Sequence, residues 1–235
     1  MVRPDGRQPN ELRPMELERG ANPYAEGSCL VRMGGTLVIC TASVTDGVPG
    51  WRRGSGLGWL TAEYAMLPRA TTERSQRERR GPGGRTAEIQ RLIGRSLRTA
   101  LKGFAFGERT ITVDCDVLQA DGGTRTAAIT GGVVALADAC TWIDQQTEAA
   151  NPFGALVAAI SVGVANGTPC VDLSYVEDKT ADVDANIVMI EPDRFVEVQG
   201  TSEGAPFDRA ALDRMLALAQ EGIQRLFAEQ RRVLA

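Results

Sequence analysis

The chain contains no histidine. That absence removes serine–histidine and cysteine–histidine triads and histidine-ligated zinc. Proton transfer is left to a carboxylate, a lysine, a tyrosine or a metal-bound water. Cysteines are few and dispersed: the five (Cys29, Cys40, Cys115, Cys140 and Cys170) form no Cys-x-x-Cys pair. Several fall in apolar strand or helix patterns, where cysteine behaves as a small buried hydrophobe. A catalytic metal would therefore need oxygen ligands, which favours Mg²⁺ or Mn²⁺. Aromatic residues make up only 5% of the chain, too few for recognition by extensive base stacking. No apolar run approaches membrane-spanning length. Residues 1–7 lack the apolar core of a signal sequence, so a cytoplasmic protein is expected. Linkers, low-complexity blocks and internal repeats are also missing. With 235 residues and 43% hydrophobic content, one α+β domain over 1–235, with mixed sheets packed with helices, is expected.

The net charge of −4 argues against indiscriminate binding to nucleic acid. The charge is nevertheless uneven. Arg69, Arg74, Arg77, Arg79, Arg80, Arg85, Arg91 and Arg95 crowd one region against Glu73, Glu78 and Glu88. Such a segment can hold a polyanion locally, and Arg69, Arg74 and Arg77 can follow a sugar–phosphate backbone. The stretch 69–85 has almost no apolar content and reads as a long mobile loop.

Alternation and turn signals predict strands over 12–17, 28–33, 36–43, 59–66, 111–117, 156–164, 170–175, 186–190 and 195–199. Helical spacing over 89–101 predicts a helix with Gly103 as its C-cap. Further helices are expected over 124–144 and 208–232. The glycine-rich stretch 47–58, which carries Trp51, Arg52 and Arg53, fits neither a P-loop nor a dinucleotide fingerprint. It reads as a loop near a ligand or an interface.

One segment carries the clearest chemistry. A strand with Ile111, Val113, Cys115 and Val117 on one face runs into Gly122-Gly123-Thr124-Arg125, and an apolar helix follows at once. Glycines allow a sharp turn and close approach to a ligand. The helix start offers unpaired N–H groups and the positive end of its dipole, and an arginine adds a fork suited to phosphate oxygens. Gly83-Gly84-Arg85-Thr86 repeats that arrangement before another helix, so two arginine-bearing helix starts can converge on one phosphate. Acidic residues Glu177, Asp178, Asp182 and Asp184 form a loop that can hold a hard cation, with no EF-hand spacing.

These segments together resemble the ribonuclease PH family of phosphate-dependent 3′-exoribonucleases, across essentially the whole chain. The resemblance is carried by Arg3-Pro4-Asp5-Gly6-Arg7, by Gly58 through Tyr64, by Gly84 through Arg95 and by Asp114 through Thr130. Asp172 through Asp178 and Val196 through Thr201 add to it. It implies a ribosomal protein S5 domain 2-like fold and a homo-hexameric ring, a trimer of dimers. It implies that Arg85, Gly123, Thr124 and Arg125 hold inorganic phosphate as co-substrate, that Asp178 and Asp184 are catalytic and hold Mg²⁺ or Mn²⁺, and that Arg69, Arg74 and Arg77 hold tRNA. The implied reaction shortens tRNA precursors and other RNA 3′ ends and releases nucleoside diphosphates. Departures are small: Tyr24 stands where many members carry histidine, and Ala87 and Ala185 stand where methionine is usual. Two rivals remain: a ring subunit that binds RNA without catalysis, and a metal nuclease that uses water.

Overall fold

Alternating apolar residues build the first sheet, in which β2 (Gly27–Met33), β3 (Thr36–Asp46) and β5 (Arg109–Gln119) turn their buried side chains to one face. The computed structural model describes residues 3–146, 148–204 and 206–235. The sheet is completed by β1 (Met15–Arg19) and β4 (Trp59–Met66), in the order β1-β2-β3-β5-β4. Only β4 and β5 run parallel, and helix α1 (Gly84–Thr99) lies on the crossover between them, the connection that parallel neighbours require.

Helix α2 (Thr124–Gln146) is apolar on nearly every side, and it is buried accordingly between the first sheet and a second one. The expectation that no apolar run approaches membrane-spanning length is corrected here: α2 is long and apolar enough to cross a membrane, but 83% of its apolar window is buried inside the fold. Its fit against β2 is close: a Cβ on Gly131 would stand 2.0 Å from a Val31 methyl, so no larger residue is accommodated without moving the helix. The second sheet has the order β7-β6-β8-β9 and is antiparallel throughout. Its strands are β6 (Val157–Ala165), β7 (Thr168–Val171), β8 (Val183–Ile190) and β9 (Arg194–Ser202), and a short helix, α3 (Tyr175–Asp178), lies between β7 and β8.

The C-terminal helix α4 (Arg209–Leu234) packs its apolar stripe, including Met215, Ala219, Ile223 and Phe227, on β6 and β7. Asp208 caps its start by accepting from Ala211 N at 2.7 Å. Gln230 fastens it by donating to the carbonyls of Thr130 (2.8 Å) and Val157 (2.9 Å). Helices α1, α2 and α4 thus form a layer between the two sheets, and apolar side chains from all of these elements join in one core.

Several sequence expectations need correction. The first strand lies at Met15–Arg19, displaced from 12–17 because Arg13 is held by its own ion pairs. Helix α1 ends at Thr99 with Ala100 as its cap, so Gly103 is not the C-cap; Leu101 instead forms a bridge with Phe153. The strand expected over 170–175 stops at Val171, because Asp172 adopts a positive φ of 55°. Its last expected residue opens α3, and the presumed acidic loop at 177–178 is helix.

Candidate active site

The turn after β5 takes the left-handed conformation that its glycines permit, with φ of 76° at Gly122 and 65° at Gly123. A Cβ on Gly122 would stand 2.4 Å from the carbonyl oxygen of Leu173, so this turn nests against the segment that leads into α3. Helix α2 then starts at Thr124, and its first turn closes through Ala127 N to Gly123 O at 2.9 Å. The hydroxyls of Thr124 and Tyr64, a buried residue of β4, lie 2.8 Å apart. Burial raises the Tyr64 pKa although Arg85 and Arg125 pull it down, so the phenol keeps its proton.

Helix α1 begins at Gly84 and puts Arg85 in its first turn. The two helix starts meet: Arg85, Gly123, Thr124 and Arg125 line one cavity of about 260 Å³ together with Asp178 and Asp184. The six residues named from the sequence for phosphate and metal are therefore neighbours. Arg125 is 15% exposed and lies 3.6 Å from Glu88 and 3.5 Å from the Gln199 amide oxygen, which hold its guanidinium at the cavity wall.

Asp178 closes α3, and Asp184 is the second residue of β8. Burial, and then the negative charge of Asp178, push the Asp184 pKa up to about 6 against the pull of Arg125 and Arg85. Asp178 is raised as well, chiefly by burial, while Arg85, Arg125 and Arg13 oppose the shift. Two half-buried carboxylates that disfavour each other's charge suit a hard cation. No cluster of three or more metal-binding side chains occurs among the described residues. Two carboxylates beside two arginine-bearing helix starts nevertheless fit Mg²⁺, which keeps several waters and binds through one or two carboxylates plus phosphate oxygens.

Glu177 and Asp182 do not join that pair. Glu177 is buried and faces Arg3, with Nε donating to Oε1 at 2.6 Å and Nη2 to Oε2 at 2.9 Å. It also completes a capping box with Ser174. Burial alone would raise its pKa, but these bonds bring it down to about 2. Asp182 is exposed and outside the cavity.

Buried ion pairs fix the geometry from behind. Arg13 grips Asp172 with Nη2 at 2.6 Å and Nε at 3.0–3.1 Å. The same guanidinium donates to the carbonyl of Asp121 and, at 3.4 Å, to that of Gly122. One side chain thus ties the turn that leads into α2 to the segment that delivers Asp178. Arg7 adds contacts of 3.3 Å to both Asp172 and Glu177.

Arg69, Arg74 and Arg77 are exposed on the connection between β4 and α1 and do not line the cavity. Their connection does reach it through Thr71 and Thr72, and it is pinned at its base by Ala120 N to Ala70 O at 2.8 Å. The stretch 47–58 lies at the other end of β4 and β5, where Arg52 stacks on Trp51, Trp59 and Phe104. It is not part of this cavity. Sequence reasoning missed Tyr64, Ser161 and Asn186, which reach the site from strands, and Arg13, whose partner is 159 residues away. Tyr64 lies within a segment that carried the family resemblance; the other three gave no local signal.

Known proteins share this fold. A family model described as 3′ exoribonuclease family, domain 1, matches residues 11–141, and domain 2 of the same family matches residues 155–222. Among solved structures, rice (Oryza sativa) Rrp46 superposes with a TM-score of 0.81 at 20% identity, covering 99% of each chain. A chain of an archaeal exosome core gives 0.78 at 21% identity over 97% of this chain and 90% of its own. A chain of the Archaeoglobus fulgidus exosome with RNA bound to the active site gives 0.78 at 22%, over 95% and 91%. The fold is RNase PH-like, a mixed α+β arrangement of two sheets packed against helices.

Proposed function

Because the chain belongs to the 3′ exoribonuclease family, we propose that it is a ribonuclease PH-type enzyme that shortens RNA from the 3′ end with inorganic phosphate. The observation that carries this reading is the convergence of two arginine-bearing helix starts and two carboxylates on one cavity. Water needs no such anion cradle, which favours phosphorolysis over hydrolysis.

Phosphate is held by Arg85, Arg125, the Thr124 hydroxyl and the first N–H groups of α2. One of its oxygens attacks the phosphorus of the last phosphodiester in line. The bond to the 3′ oxygen breaks, a nucleoside diphosphate leaves, and the RNA is one residue shorter. The two arginines offset the repulsion between two anions and stabilise the charge of the transition state. Mg²⁺ or Mn²⁺ held by Asp178 and Asp184 would supply further charge neutralisation. The departing 3′ oxygen takes up a proton, which an acidic group or a water in the cavity must supply because the chain has no histidine. The phosphodiester bond is exchanged for the phosphoanhydride bond of the diphosphate and no bond is lost to water, so nucleotide addition from diphosphates also runs.

The substrates in this reading are tRNA precursors and other RNA 3′ ends in the cytoplasm, handled by a homo-hexameric ring. The family resemblance of the chain supports tRNA and the ring; the exposed Arg69, Arg74 and Arg77 support the grip on RNA. Each phosphate contact on a single strand adds about −0.7 to the slope of log affinity against log salt. The triple alanine variant of those arginines flattens that slope by about 2 and leaves the phosphate requirement unchanged; an unaltered slope removes them from the RNA path. The function itself is tested with a tRNA bearing extra 3′ nucleotides, Mg²⁺, and phosphate either present or omitted. Diphosphates released only with phosphate support it, monophosphates without phosphate mean a hydrolase, and bound but intact RNA means a scaffold.

A further inference from the structure

The row of residues under the phosphate turn holds a group that the mechanism has not used. Ser161 of β6, Asn186 of β8 and Gln199 of β9 stand opposite one another across three neighbouring strands. Ser161 lies under Gly123, with its hydroxyl 3.7 Å from the position of a Cβ there. Gln199 touches Arg125 at the other end of the turn. Asn186, between them, therefore sits beneath the segment that runs from Gly123 to Arg125, and it lines the same cavity. Alternation along β8 puts it on the face that carries Asp184.

Its two flanking residues are already engaged. The Ser161 hydroxyl accepts from Leu173 N at 3.1 Å, and the Gln199 amide donates to Glu88 at 2.8 Å. Asn186 is only 7% exposed, yet among the described residues its side-chain amide has no hydrogen-bond partner. It is also absent from the sealed, unsatisfied polar atoms, where only the Gln230 amide oxygen is found among the described residues. The amide is thus buried by protein on most sides and open towards the cavity. Leaving such a group unpaired is costly, and a ligand at the turn satisfies it.

We infer that Asn186 is a further phosphate-binding residue, whose amide Nδ2 donates to an oxygen of the attacking inorganic phosphate. An amide suits this place. It donates without adding charge beside two arginines, where a carboxylate would repel the ligand. The inference deepens the proposed function and rests on that reading for the identity of the phosphate.

The test is equilibrium binding of inorganic phosphate by calorimetry to the full chain, wild type against Asn186→Ala and Asn186→Asp, with RNA affinity and melting temperature measured in parallel. A hydrogen bond to a charged group corresponds to a loss of roughly tenfold or more. Asn186→Ala therefore weakens phosphate binding by at least about tenfold, and Asn186→Asp weakens it further, while RNA affinity stays within about twofold. Asn186→Ser, which keeps a small polar side chain, carries the same comparison where the alanine variant does not fold. Unchanged phosphate affinity in a folded variant overturns the inference, and so does a loss confined to RNA, which would assign the amide to the scissile phosphodiester or its ribose. Asn186-dependent phosphate binding in a wild-type chain that releases no diphosphate would uphold the inference and refute the proposed reaction.

Discussion

Asp184→Asn abolishes turnover, by about three orders of magnitude or more, while RNA binding and assembly persist. The size follows from the position of the carboxylate: half-buried at the start of β8, beside Asp178, in the cavity that Arg85 and Arg125 share. An amide of the same shape keeps the packing but cannot hold a cation by charge. The same substitution has a second, opposite signature in stability. Burial and Asp178 raise the folded pKa of Asp184 to about 6, against about 3.9 in an unfolded chain. The folded state therefore binds the extra proton, and Asp184 costs the metal-free fold stability as pH rises through that window. Asp184→Asn removes the cost, so in the presence of a chelator the variant melts no lower than wild type at pH 7. A variant that keeps Mg²⁺-dependent rates, or that melts well below wild type under those conditions, takes Asp184 out of the site.

The second large effect belongs to phosphate. Arg125→Ala lowers turnover per unit phosphate by roughly 10²–10³, with tRNA affinity largely kept. Arg85→Ala acts in the same direction with a smaller loss. The ranking follows from preorganisation: Arg125 is mostly buried and steadied by Glu88 and Gln199, whereas Arg85 is exposed and must be ordered by the ligand. Arg125→Lys restores little, since a point charge does not reproduce the two-pronged contact. Steady-state rates over a range of phosphate, beside RNA binding by the same variants, measure the division. Equal loss of RNA binding in Arg125→Ala refutes it.

The turn from β5 into α2 was legible because three local signals coincide there: alternation, a glycine pair and an apolar run. Arg85 was legible because it repeats that arrangement at α1. The acidic segment was only half legible. Glu177 and Asp178 are adjacent and alike, yet one is locked by Arg3 and the other opens to the cavity. The distinction arises from a partner 174 residues away and from a positive φ at Asp172 that ends β7, neither of which a local pattern encodes. Asn186 and Ser161 read as ordinary strand residues; only the pairing of β6 with β8 brings them beneath the turn that leads into α2. The position of 47–58 away from the cavity likewise depends on which ends of β4 and β5 face it.

In the proposed reaction phosphate itself, and not water, is the nucleophile at this cavity. This is tested most directly by incubating the protein with Mg²⁺, a tRNA carrying extra 3′ nucleotides and radiolabelled inorganic phosphate, then locating the label. Phosphorolysis predicts that the label appears in the β-phosphate of every released nucleoside diphosphate. Release of unlabelled nucleoside monophosphates would contradict it.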